Sequence, residues 1–139
     1  MIFMVIGRAT KETEAGAPPD LELLEEMGKF NQELVKNGIL LAAEGLMPSS
    51  KGVRVRISDG KRTVIDGPFT ETKELIAGFM LLQVRSKEEA IEWVKRGPVP
   101  SRGESEIEIR EVAEMKDVLP PERLEKKEKL RAQYFSSKA

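Results

Sequence analysis

Short apolar runs alternate along this chain with stretches whose apolar residues recur every three or four positions, so strands and helices are expected in turn. Residues 2–9, IFMVIGRA, make a first strand-sized apolar run, and residues 10–19 a polar loop. Asp20, after two prolines, is placed to cap a helix over residues 21–37, and Gly38 to stop it. On that helix Leu24, Met27, Asn31, Leu34 and Val35 share one side, with Leu23 and Phe30 at its edge. Gly28 lies beside this stripe, where it costs on the order of 1 kcal/mol of helix propensity against alanine. It is expected to mark a close approach to a sheet.

Residues 39–46 read as a second strand, followed by a loop, Pro48-Ser49-Ser50-Lys51-Gly52, expected to be flexible. Next comes the clearest local signal, VRVRIS-DG-KRTVID. Alternating residues flank Asp59-Gly60, the pair preferred in a two-residue type I′ hairpin. That turn sets Ser58 opposite Lys61, Ile57 opposite Arg62, Val55 opposite Val64 and Val53 opposite Asp66. Asp66 then projects on the apolar side of the hairpin, with Arg54 and Arg56 on the other. Residues 75–84 are apolar at successive positions, as in a central strand. Ser86-Lys87-Glu88-Glu89 is a capping box opening a helix to Arg96, with Ala90, Ile91 and Val94 on its inner face and Trp93 beside it. Residues 106–112 alternate as a last strand. The order is β-α-β-(hairpin)-β-α-β, an α+β, ferredoxin-like layout with an inserted hairpin.

The chain divides into a domain at 1–115 and a helical tail at 116–139. In the tail Glu122 with Lys126 and Glu125 with Lys129 are spaced as helical ion pairs. Six Lys or Arg stand against three Glu beyond residue 119, too sparse a basic run for a nucleic-acid arm. A net charge of −1 over 139 residues provides no field toward nucleic acid or an anionic membrane. The apolar runs are too short to span a bilayer, and residues 1–9 lack the layout of a signal peptide, so a cytoplasmic protein is expected.

Composition narrows the chemistry sharply. There is no Cys and no His, which excludes thiol nucleophiles, imidazole or thiolate metal ligands and the Ser-His-Asp triad. Nothing in the sequence points to a cofactor or metal. Two carboxylates are the candidate acid-base groups. Asp66 is either an inward acid raised by burial or a turn-former whose oxygens accept nearby N–H groups. Glu44 alternates with Ala42 and Leu46, so it either enters the same cavity or stands in solvent, paired with a base such as Arg8. Arg8 is the candidate clamp for an anionic ligand, with an ordinary ion pair as the other reading. Phe69 follows a sharp corner and can pin it against a core or touch a ligand.

Asp66-Gly67-Pro68-Phe69, with the polar turn at 70–74 and ELIAGF behind it, resembles the DGPF branch of the YCII-related family over about residues 2–112. The resemblance implies a ferredoxin-like unit pairing with a second copy into a dimeric α/β barrel. That suits a single sheet whose helices lie on one face and whose central strand needs cover on both. Some family members use a His–Asp pair on the first helix. Aligned on Gly38, Met27 and Lys36 stand there in this chain, and neither can do that work. Members of the branch also occur with extracytoplasmic-function sigma factors, which implies a regulatory setting. The expectation is a small homodimeric protein holding a small organic molecule in the barrel cavity, as a binding or accessory protein. The alternative is a lyase or hydrolase on a small organic acid, with Asp66 and Glu44 as acid and base and Arg8 on the carboxylate.

Overall fold

Among the described residues, six strands and five α-helices follow one another along the chain. They are β1 (Ile2–Arg8), α1 (Lys11–Glu14), α2 (Leu21–Lys36), β2 (Leu40–Gly45), β3 (Val53–Ser58), β4 (Lys61–Asp66), β5 (Ile76–Gln83), α3 (Lys87–Lys95), β6 (Ile107–Glu111), α4 (Met115–Val118) and α5 (Pro121–Ser136). The computed structural model describes residues 1–71, 74–100 and 103–136. Thr72 and Lys73 of the expected polar turn lie outside the described residues, as do positions 137–139 of the tail.

Four strands form an antiparallel sheet in the order β2-β5-β1-β6, and β3 pairs with β4 in a separate hairpin. With the hairpin set aside, this order is compatible with a ferredoxin-like fold. β5 is central, as its continuous apolar run requires. Phe3, Val5 and Leu82 on one sheet face pack against Phe30 and Leu34 of α2 and Ala90 of α3, and all six are buried. Burying such side chains stabilises by about 1.5–3 kcal/mol for each large one. On the opposite face Met4, Ile6, Phe79 and Leu81 remain half-buried.

The helix ends follow their capping residues. The Asp20 carboxylate accepts the Glu22 N–H at 3.0 Å, and Gly38, at φ +71°, takes the left-handed stop after α2. Ser86 Oγ accepts the Glu89 N–H at 3.1 Å to open α3.

The face of α2 departs from the expected one. Phe30 and Leu34 are buried and Met27 packs beside them, whereas Leu24 and Val35 are exposed. The seated stripe is Leu23, Met27, Phe30 and Leu34, rotated from the expected centre so that the Phe30 ring packs close to Gly97 after α3. Gly28 is no point of close approach: it is exposed, and a Cβ there would meet nothing within 4 Å. The polar loop after β1 also contains a helix. Thr10 and Thr13 cap it reciprocally through N–H to Oγ hydrogen bonds of 2.8 and 3.2 Å.

Candidate functional site

The hairpin has the expected register, with Val53 opposite Asp66 and Ser58 opposite Lys61. Asp59 and Gly60 both take positive φ, 50° and 79°, as a type I′ turn demands. The apolar side of the hairpin does not enter a core. Val53, Val55, Ile57 and Val64 are all more than half exposed, because the two strands pair only with each other. Asp66 shares that side and is exposed too. The single chain therefore does not bury the Asp66 carboxylate.

The corner after Asp66 rests on the loop before β3. That loop is an ordered 3₁₀ turn, Ser49–Lys51, rather than a flexible segment. Gly67 N–H donates to Gly52 O at 3.0 Å, and Phe69 N–H donates to Ser49 Oγ at 3.0 Å. The Ser49 hydroxyl in turn donates to the Glu14 carboxylate, which also accepts the Ser49 N–H at 3.0 Å. A Cβ on Gly67 would lie 1.8 Å from the Ser49 carbonyl oxygen, so only glycine fits between these two backbones. Phe69 is half-buried, and the Arg54 guanidinium lies 3.8 Å from its ring centroid. Glu14, Ser49, Gly67 and Phe69 thus form a structural clasp. Sequence reasoning placed Phe69 at the corner but missed Glu14, which sits in the segment read as plain loop.

The cavity lies elsewhere, between α2 and one end of the four-stranded sheet. Register places Gly45 of β2 opposite Gly78 of β5, and Gly78 opposite Gly7 of β1. Three adjacent strands therefore carry no side chain along one row of the helix-facing side. Just inward of that row, Val5, Met80 and Ala43 pair across the same strands. Missing side chains at the row leave a cavity of about 370 Å³, bordered also by Met27 and Asn31 of α2 and by Glu44. That volume falls within the range typical of small-molecule sites, roughly 300–1,000 Å³. Gly78 is fixed by packing, since a Cβ there would meet the Glu44 carbonyl oxygen at 2.8 Å. At Gly45 a Cβ would meet nothing within 4 Å.

Asn31 carries the polar exception. Its Oδ1 is shielded from solvent and accepts no hydrogen bond, although buried acceptors are paired as a rule. Glu44 is exposed and borders the cavity, whereas Asp66 is not among the residues lining it. Arg8 is ion-paired with Glu108, not with Glu44. Among the described residues, no group of three or more Asp or Glu stands close enough to hold a metal ion. The glycine row had a visible sign, since glycines inside strands mark bulges or sites where something approaches the backbone. Their alignment in one row needed the three-strand register.

A family model described as the YCII-related domain matches residues 1–116. The chain belongs to the YCII-related family. An uncharacterized protein of Rhizobium meliloti (strain 1021) is a relative, 31% identical over 90 residues that cover 63% of this chain and 73% of its own. The match takes in both the clasp and the cavity of this YCII-related protein and ends at the start of α4, leaving α5 beyond it. No helix among the described residues is long and apolar enough to cross a membrane.

Proposed function

We propose that this YCII-related protein is a homodimeric cytoplasmic binding or accessory protein of the DGPF branch, with a small organic molecule held in the cavity between α2 and the glycine row. The observation that carries the reading is the lining of that cavity. Its wall is apolar, and Glu44, the one titratable residue among those lining it, stands opposite Phe79 and so turns its side chain to the sheet face away from α2. Acid-base catalysis by a carboxylate pair needs two such groups converging on one substrate. Asp66 sits instead at the end of the hairpin, beside the clasp. Arg8, the intended clamp for an organic acid, is occupied by Glu108. The lyase or hydrolase reading therefore ranks behind binding.

Apolar surface left open supports the dimer. Met4, Ile6, Phe79 and Leu81 on the open sheet face stay only half-buried and Val53, Val55, Ile57 and Val64 on the hairpin stay exposed, and apolar patches left open to water mark interaction sites. A second sheet laid on the first is the barrel that the family resemblance implies. A regulatory role beside a sigma factor fits an accessory protein and adds no requirement to the cavity.

A ligand-observed NMR screen of small organic fragments, run on the wild type and on Gly45→Leu, tests the binding reading. Leucine at 45 projects from the glycine row into open space, so it fills the cavity without displacing backbone. Fragments that bind the wild type and not the variant are the expected result. Fragments binding both equally, or none at all, would sink the proposal.

A further inference from the structure

We infer that the cavity takes a flat, uncharged aromatic hydrocarbon ring, held by contact alone and without a polar anchor. The inference rests on the cavity being a ligand site and adds the class of its occupant. Sheet register decides what the wall presents. Side chains alternate between the two faces of a strand, so Val5, Ala43, Met80 and Ile107 turn toward α2 together with the glycine row. Glu44 and Phe79 stand opposite each other one position along, and their side chains go to the other face. From α2, Met27 borders the cavity and packs against the core. Asn31 borders it too, but its Oδ1 is shielded even from water. The surface left to an occupant is almost wholly apolar.

Such a wall excludes charge. No Lys or Arg lines the cavity, so a carboxylate or phosphate would enter without a counter-charge. A cation would find the Glu44 side chain on the far side of the sheet. Either ion would lose its hydration with nothing in return, and water itself gains few partners there. The floor sets the shape. Gly45, Gly78 and Gly7 offer bare peptide planes, and Ile107 closes the row at β6. A planar ring can lie on them at van der Waals distance, where a puckered one is held off by its own hydrogens. Packing requires glycine at 78 but not at 45, which has no positive φ and nothing within 4 Å of an added Cβ. Glycine within a strand often marks where a ligand comes close to the backbone. Met27 and Met80 add two thioethers, whose sulfurs make favourable contacts with aromatic rings.

Toluene, benzoate and benzylamine share a flat ring and differ in charge, whereas methylcyclohexane matches toluene in size and is puckered. Each is titrated by ligand-observed NMR into the full-length chain as wild type, Gly45→Ala and Gly45→Leu, with each variant's fold checked by its melting transition. The wild type should bind toluene at least about tenfold more tightly than benzoate or benzylamine. Gly45→Ala raises the floor by one methyl group, so the ratio of toluene to methylcyclohexane affinity should fall about threefold from its wild-type value. Gly45→Leu should bind none of the four. A charged probe that binds the wild type as tightly as toluene, or a ratio unchanged in Gly45→Ala, would overturn the inference and leave the cavity standing as a ligand site. So would a wild type that takes up other fragments and refuses toluene. Binding that survives Gly45→Leu, or a wild type that binds no fragment, would remove both.

Discussion

Replacing Gly67 by alanine is expected to part the corner at 66–69 from the loop it rests on. The new Cβ would stand 1.8 Å from the Ser49 carbonyl oxygen and 2.7 Å from its carbonyl carbon, against the 3.4 Å at which ordinary contact begins. Backbone bounds the clash on both sides, so no rotamer relieves it. Separation forfeits the Gly67 N–H bond to Gly52 O and the Phe69 N–H bond to Ser49 Oγ, each 3.0 Å long. At about 1 kcal/mol apiece, these bonds alone account for roughly 2 kcal/mol. With residual strain the total reaches about 2–4 kcal/mol. Gly45→Ala is the control, with nothing within 4 Å of its Cβ, and should fall within about 0.5 kcal/mol of wild type. Equilibrium urea unfolding measures the global term. Amide hydrogen exchange at residues 53–66 measures the local one, because the hairpin pairs only with itself and can loosen alone. A Gly67→Ala protein with both wild-type stability and wild-type exchange in the hairpin would refute the reasoning.

Light scattering should return a mass near twice 15.6 kDa across the micromolar range; a steady monomer mass would contradict the covered-face argument. A double-mutant cycle on Arg8 and Glu108, a pair about one-third exposed or less, should give a coupling of about 0.2–1 kcal/mol; a coupling of zero would mean that Arg8 is not held there. Stability should be nearly flat from pH 5 to 8, since the chain has no His or Cys and no charged side chain is buried among the described residues. A carboxylate raised by burial would instead lose its stabilising contribution as pH climbs through its folded pKa, so a melting temperature falling steadily over that window would expose one.

Local codes were the legible part of the sequence. The hairpin register follows from Asp59-Gly60 and its alternating flanks, and the start of α3 from Ser86 and Glu89, because each depends on residues a few positions apart. The seated face of α2 was less legible. Leu24 and Val35 look as apolar as Met27 and Phe30, and the choice between them is made in the tertiary core, where Phe30 packs close to Gly97 and Leu34 is fully buried. Asn31 falls on the expected side of α2, yet the cavity it borders depends on the glycine row. That row joins Gly7, Gly45 and Gly78 from three separate strands, and no local window contains it. The hairpin's apolar side had a true alternation and a wrong expected destination. Alternation tells which residues share a face and is silent on what covers it.

A crystal structure of the wild-type protein, grown with a fragment that binds the wild type and not Gly45→Leu, tests the central claim most directly. The account predicts the molecule lying on Gly45, Gly78 and Gly7, beneath Met27. A molecule seated on the sheet face away from α2, with Met27 collapsed onto the glycine row, would contradict it.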